Sequence, residues 1–218
     1  MSKRAWGRRP TDHSRTGVAA GSRPGRVAVP HVWRTVGKGR RCPTASAGMR
    51  LAYADPPYLG CCGRYGHRHE RPYGCWDEPT THADLLTDLK KYDGWAYSLS
   101  TVSLRAVLPF APDDVRIGAW VKPWCSFKAN DPGYAWEPVL FRSSRNKNER
   151  GRDRPTTRDW HAEQSRRRMK QSFFFGAKPD GFCRWVLDLI GYRDGDEFDD
   201  FFPGSGIMGR VVAQGVLL

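Results

Sequence analysis

Residues 49–58 read MRLAYADPPY. The first six of them form a short, mostly apolar run of the kind that makes a buried strand. Asp55 ends the run, and Pro56 and Pro57 follow it. Each proline fixes φ and removes a backbone donor, so the turn is stiff and its carbonyl oxygens stay free as acceptors. The stretch therefore predicts a strand that ends in a rigid turn of acceptors, closed by the flat ring of Tyr58.

Such a turn carries the groups that hold a planar amine. The Asp55 carboxylate and the Pro56 carbonyl can each accept one N–H of an exocyclic amino group, and Tyr58 can stack on the ring that bears it, as enzymes do with a flipped nucleobase. An aspartate that only caps a strand–proline turn is the plain alternative. The residues alone leave both interpretations open.

A glycine turn lies near the other end of the sequence, where residues 200–206 read DFFPGSG. Glycine lets a backbone approach a ligand closely, and a helix that starts after the turn offers free N–H groups. The pattern predicts a strand at 197–202 before the turn and a helix from Ser205 onward. A G-S-G sequence by itself also suits an ordinary strand–helix connection.

The two turns together resemble the motifs of amino-methylating DNA methyltransferases. The resemblance implies a catalytic role for the tetrapeptide of Asp55, Pro56, Pro57 and Tyr58. It also implies that S-adenosyl-L-methionine is bound by Asp200, Phe202, Gly204, Ser205 and Gly206, and by Lys178 of a Lys-Pro pair.

Three further stretches extend the resemblance over residues 49–210, to a compact group of phage and actinobacterial adenine-N6 DNA methylases. They read GWAYSLS at 94–100, AWVKP at 119–123 and AWEPV at 135–139. The catalytic turn precedes the cofactor turn, which is the circularly permuted order found in part of that superfamily. The resemblance implies that a methyl group passes from S-adenosyl-L-methionine to the N6 amine of a flipped adenine in DNA, by direct in-line attack.

Three alternatives to this activity stay open. A related group of RNA adenine-N6 methyltransferases shares the permuted order but has Trp as the fourth residue of the tetrapeptide, so Tyr58 favours DNA. Cytosine-N4 enzymes more often have Ser at the first position, so Asp55 favours adenine. A non-catalytic nucleic-acid-binding relative would have lost its cofactor affinity, and the intact Asp55 and glycine turn argue against that.

Apolar patterns after residue 49 alternate between strands and helices. Strands are predicted at 94–99, 115–121 and 138–141, and helices at 82–92, 101–108 and 180–190. A long polar loop is predicted at 59–81. The alternation predicts an α/β, Rossmann-like methyltransferase sheet that is mostly parallel, with helices on both faces. Such sheets bind ligands at the carboxyl ends of their strands, where both turns fall.

The formal charge of +13 in 218 residues is concentrated in two segments. Residues 1–48 carry eleven Lys and Arg against one acid, and their composition predicts a disordered basic extension before a methyltransferase domain at 49–218. The favoured interpretation takes Met49 as the natural start. A nonspecific grip on phosphates and an organellar transit sequence are the alternatives.

The second basic segment, residues 142–170, carries eleven Lys and Arg against four acids. It falls between the two motifs, where the resemblance implies that the target is recognised. Phosphate contacts are predicted for Arg142, Arg145, Lys147, Arg150, Arg166, Arg167 and Arg168. DNA is therefore the expected partner, and the resemblance allows a homodimer and a cognate restriction nuclease as further partners.

The six cysteines occur without a secretory pattern, so reduced thiols are expected. Cys61, Cys62, His67, His69 and Cys75 lie near one another in sequence. No C-x-x-C pair is present among them, however, so the spacing predicts a polar loop and no metal site. No apolar run is long enough to span a bilayer, and a cytoplasmic location in a bacterium, with the gene bacterial or phage-borne, is expected.

Overall fold

The computed structural model describes residues 33–36, 48–65, 75–123, 132–146, 156–164 and 177–215. Its strands are β1 (Trp33–Val36), β2 (Arg50–Ala54), β3 (Gly94–Ser98), β4 (Arg116–Val121), β5 (Trp136–Arg142), β6 (Trp160–Ala162) and β7 (Glu197–Asp200). Its helices are α1 (Cys62–Tyr65), α2 (Pro79–Leu89), α3 (Thr101–Val107), α4 (Asp180–Ile190) and α5 (Ile207–Gln214). A 3₁₀ turn, Leu108–Phe110, follows α3.

The seven strands form one sheet in the order β1-β7-β2-β3-β5-β4-β6. Strands β7, β2, β3, β4 and β6 run in one direction, and β1 and β5 run against them. The sheet is therefore mostly parallel by strand direction, and the predicted α/β class is confirmed. The exception in its interior is β5, which lies antiparallel between β3 and β4.

Helices cover both faces of the sheet. Side chains alternate between the two faces along a strand, so the apolar central strands present apolar side chains on both sides. Leu51 and Tyr53 of β2 pack into a core with α4 and α5, whereas Ala52 and Ala54 pack into a second core with α2 and α3. All four side chains are buried. The apolar run at 51–54 thus belongs to a central strand that is covered on both sides.

Helix α4 follows the predicted bounds because its signals are local. Phe182, Trp185, Val186 and Leu189 recur at helical spacing and are all buried. Gly191 ends the helix with a φ of 80°, a left-handed conformation that glycine adopts without strain. The helix starts directly after Pro179, so its packing also fixes the position of Lys178.

Two of the strands lie where no strand was predicted. The interpretation of residues 1–48 as a disordered extension is wrong for β1. The backbone of β1 pairs with β7, and Trp33 lies opposite Asp200. Strand β6 lies inside the basic segment and pairs in parallel with β4. Strand β1 has four residues and β6 has three, and each is stabilised by pairing with a strand that is distant in sequence.

Other bounds shift by a few residues. Helix α2 begins at Pro79, inside the predicted loop, and β5 begins at Trp136. Strand β7 ends at Asp200, where the chain turns. Among the described residues, no helix has both the length and the apolar character that crossing a membrane requires.

Candidate active site

The two predicted turns lie side by side at the carboxyl edge of the sheet. Strands β2 and β7 are parallel neighbours, with Tyr53 opposite Asp200. The N–H of Phe201 donates to the Tyr53 carbonyl over 3.0 Å, so the pairing continues to the point where both chains turn. The structure therefore brings Asp55 and the glycine turn to adjacent strand ends.

The ammonium group of Lys178 holds the Asp55 carboxylate. Its Nζ lies 2.9 Å from Oδ1 and 2.8 Å from Oδ2. The Asp55 side chain is 23% exposed and that of Lys178 only 11%, so the pair is largely withdrawn from water but Asp55 stays accessible. Lys178, which the resemblance assigns to the cofactor, thus contacts the Asp55 turn directly.

Tyr58 is fixed through its hydroxyl group. It donates to Glu137 Oε2 over 2.9 Å and accepts from Lys178 Nζ over 3.2 Å, while Asp55 Oδ1 lies 3.3 Å away. Burial, followed by the negative charges of Asp55 and Glu137, raises the pKa of Tyr58 well above its ordinary value. The phenol is therefore neutral, and its ring is held in one orientation.

Glu137 and Lys122 belong to the same group of side chains but were missed by the sequence-based assignment of site residues. The Lys122 ammonium bonds directly to Glu137, and Lys178 Nζ lies 3.7 Å from the other carboxylate oxygen. Burial would raise the pKa of Glu137, but the Lys178 and Lys122 charges together lower it, so the carboxylate is ionised. The available signal was a charged residue within two positions after a tryptophan and directly before a proline, in both the AWVKP and AWEPV stretches.

Asp55, Lys178, Glu137 and Lys122 form a chain of alternating charge along the sheet edge. Two anions alternate with two cations, so the chain has no net charge. A buried charge is costly unless a partner compensates it. This arrangement compensates the charge of each carboxylate with a neighbouring ammonium group at a mostly buried edge.

The glycine turn depends on two residues with positive φ. Gly204 has a φ of 44° and Gly206 a φ of 72°. A Cβ added at Gly206 would meet no atom within 4 Å, so the backbone conformation and not a lack of space requires glycine there. Residues 204–206, including Ser205, are exposed and lead into α5. The turn therefore presents open backbone to a ligand.

Asp200 and Phe202 connect the glycine turn to the protein interior. The Asp200 carboxyl is buried and accepts the Phe202 N–H over 3.1 Å. The Phe202 ring meets Trp76 edge-on at 5.2 Å and packs on the core with α2 and α3. The Phe202 side chain is thus partly buried against this core.

Asp200 gives the site a titratable group near neutral pH. Burial, assisted by the nearby Asp55 charge and opposed by the Phe202 hydrogen bond, raises the pKa of Asp200 from 3.8 to about 7. Because the folded state binds this proton more tightly than the unfolded chain, Asp200 favours folding at low pH, and this contribution is lost as pH rises to about 7.

We expect Asp200→Asn to remove this pH dependence. Urea unfolding at pH 5 and pH 8 should show a smaller loss of unfolding free energy at the higher pH in the variant than in the unchanged protein. Asp113→Asn, at an exposed position, is the control and should leave the difference intact. An equal difference in all three proteins would mean that Asp200 is ionised throughout this range.

The structure separates two of the predicted DNA-contacting arginines from this site. Arg142 lies opposite Trp95 near the start of β3, at the other edge of the sheet, and pairs with Asp114 over 2.9 Å. Arg145 is buried, and its two terminal nitrogens bond to Asp196 over 2.6 and 2.7 Å. The assignment of Arg145 to phosphate contact is thus corrected, because its guanidinium is used inside the fold.

The remaining predicted contacts, Lys147, Arg150, Arg166, Arg167 and Arg168, lie outside the described residues and stay predictions. Within the basic segment, β6 ends at Ala162, and the chain then reaches the carboxyl edge of the sheet. There the Glu163 carboxylate accepts the Phe182 N–H at the start of α4 over 2.9 Å. His161 stacks on Trp185 of the same helix, which holds β6 against the fold.

No protein-family model matches this chain, and no curated protein sequence matches it either.

Proposed function

We propose that this protein is an S-adenosyl-L-methionine-dependent DNA adenine-N6 methyltransferase with circularly permuted motifs. One observation carries the proposal: the turn of Asp55 and the turn of Gly204 and Gly206 follow adjacent parallel strands. In-line attack requires that the methyl donor and the amine be held close together and aligned. Neighbouring strand ends suit a donor site and an acceptor site that share one edge.

The residues of the glycine turn fit the amino-acid part of the cofactor. The backbone at Gly206 is open to a ligand, and the buried Asp200 carboxyl would ionise next to a cationic amino group, because an opposite charge lowers a carboxyl pKa. When bound, S-adenosyl-L-methionine supplies an electrophilic methyl group on its sulfonium sulfur. The group that accepts this methyl would be the adenine amine held by the Asp55 turn.

Asp55 and the Pro56 carbonyl would activate the adenine amine. The lone pair of that nitrogen is delocalised into the ring, and acceptors on its two hydrogens favour a tetrahedral nitrogen with a localised lone pair. A carboxylate oxygen can accept more than one hydrogen bond, so an oxygen bonded to Lys178 can still accept from the amine. Direct attack by the amine forms no covalent bond to the protein.

Tyr58 would stack on the extruded base, with its ring held by Glu137 and Lys178. Lys122 fixes Glu137 in turn, so these charged groups act as positioning residues. The positive charge concentrated in residues 142–170 favours a polyanionic substrate.

Incubation of the full chain with S-adenosyl-L-methionine and unmethylated phage DNA tests the proposal. Mass spectrometry of the digested DNA should detect N6-methyladenine. N4-methylcytosine in its place would make the enzyme a cytosine-N4 methyltransferase, and methylation confined to an RNA substrate would support the RNA alternative. If no nucleoside is methylated and calorimetry shows no heat with millimolar cofactor, the chain is a non-catalytic binding protein.

A further inference from the structure

Cys62, Cys75 and Asp77 form a compact group of donor atoms beside the catalytic turn. The two Sγ atoms and one carboxylate oxygen lie within 4.8 Å of one another. Cys62 is partly buried, and Cys75 and Asp77 are exposed, so a solvent ion can reach them. The spacing in sequence did not predict this group, because its members come from α1 and from the segment that leads into α2.

The separation of these atoms suits a tetrahedral zinc ion. Zinc binds sulfur at about 2.3 Å and carboxylate oxygen at about 2.0–2.2 Å, which sets neighbouring ligand atoms roughly 3.6–3.8 Å apart. The group has to contract by roughly 1.2 Å at most to reach this geometry. Rotation of the exposed Cys75 and Asp77 side chains can supply this contraction.

The Asp77 carboxylate is held in place by backbone hydrogen bonds. Its Oδ1 accepts the N–H of Gly60 over 2.8 Å and the N–H of Cys62 over 3.1 Å. Hydrogen bonds of this kind orient metal-binding carboxylates. They also join the segment after Tyr58 to the segment before α2.

We propose that Cys62, Cys75 and Asp77 bind a zinc ion, with water in the fourth position. Two thiolates and one carboxylate are a ligand set that zinc accepts. The ion would connect the segment after Tyr58 to the segment that contains Trp76. The Trp76 side chain is fully buried, and its ring centroid lies 5.2 Å from that of Phe202, next to the glycine turn. Zinc binding of this kind is independent of the proposed methyl transfer.

Metal analysis of the purified full chain, loaded with zinc and freed of excess ion by gel filtration, tests this site. We expect about one zinc ion per chain, and thiolate-to-metal charge-transfer absorption when cobalt replaces zinc. Cys62→Ser and Cys75→Ser should each lose the metal and the absorption band. Cys61→Ser is the matched control, since its thiol is adjacent in sequence but outside the group, and it should retain both.

Alkylation of the unchanged protein gives a second measurement, which is valid whether or not the serine variants fold. Bound zinc should protect Cys62 and Cys75 from alkylation, whereas Cys61 should react with or without the ion. The proposal is overturned if the reduced chain binds no zinc, if the serine variants keep it, or if zinc protects Cys61 equally. A Cys62–Cys75 disulfide in a chain that binds no zinc after reduction would also overturn it.

Discussion

Replacing Asp55 by alanine should abolish methyl transfer and leave S-adenosyl-L-methionine binding largely unchanged. The variant loses the side-chain acceptor for the amine, and the loss of one oriented hydrogen-bonding group in an active site costs roughly 10²–10³ in rate. The glycine turn is formed by separate residues after β7, so cofactor affinity is expected to persist. Formation of N6-methyladenine and calorimetric titration with the cofactor measure the two effects separately.

The Asp55→Ala variant also removes the nearer of the two carboxylates that Lys178 contacts, since Glu137 Oε2 lies 3.7 Å from its Nζ. The double variant Asp55→Ala with Lys178→Met removes the ammonium together with the carboxylate, and it should fold at least as well as Asp55→Ala while staying inactive. Asp113→Ala changes an exposed carboxylate and should retain full activity. Methyl transfer by Asp55→Ala at the normal rate would remove Asp55 from the proposed role.

Replacing Asp196 by alanine should destabilise the fold by about 3–5 kcal/mol, the usual cost of breaking a buried ion pair from one side. Arg145 would then lose both of its bonds to the Asp196 carboxylate while its charge stays buried, although one of its nitrogens also donates to the Gly191 carbonyl over 2.6 Å. The carboxylate accepts two backbone N–H groups as well, from Met49 over 3.0 Å and from Arg193 over 2.8 Å. Since domains are stable by only about 5–15 kcal/mol, urea unfolding should show this loss clearly.

Arg142→Ala is the control for this second prediction. Its ion pair with Asp114 joins side chains that are 42% and 58% exposed, and exposed pairs contribute at most about 1 kcal/mol. Replacing Arg145 by Met and Asp196 by Leu together should recover much of the stability lost in Asp196→Ala, because no unpaired charge is left. If Asp196→Ala and Arg142→Ala lose the same amount of unfolding free energy, the buried pair contributes no more to stability than the exposed one.

The elements that could be predicted from sequence are those with local signals. Strand β2 and helix α4 have apolar patterns that are long enough to identify, and Gly191 marks where α4 ends. Strand β1 has four residues and β6 has three, and each is stabilised by β7 or β4 across the sheet. Their formation depends on contacts between distant parts of the chain, which a local pattern does not contain.

Both turns follow from local sequence, because proline and glycine restrict or release φ at their own positions, whatever surrounds them. The charged residues that contact each turn, in contrast, are set by the folded arrangement of the strands. Lys178 bonds to Asp55 at the carboxyl edge of the sheet, whereas Arg145 bonds to Asp196 in the interior. Composition gives the sign of a charge, but its partner depends on which strand ends the fold makes neighbours.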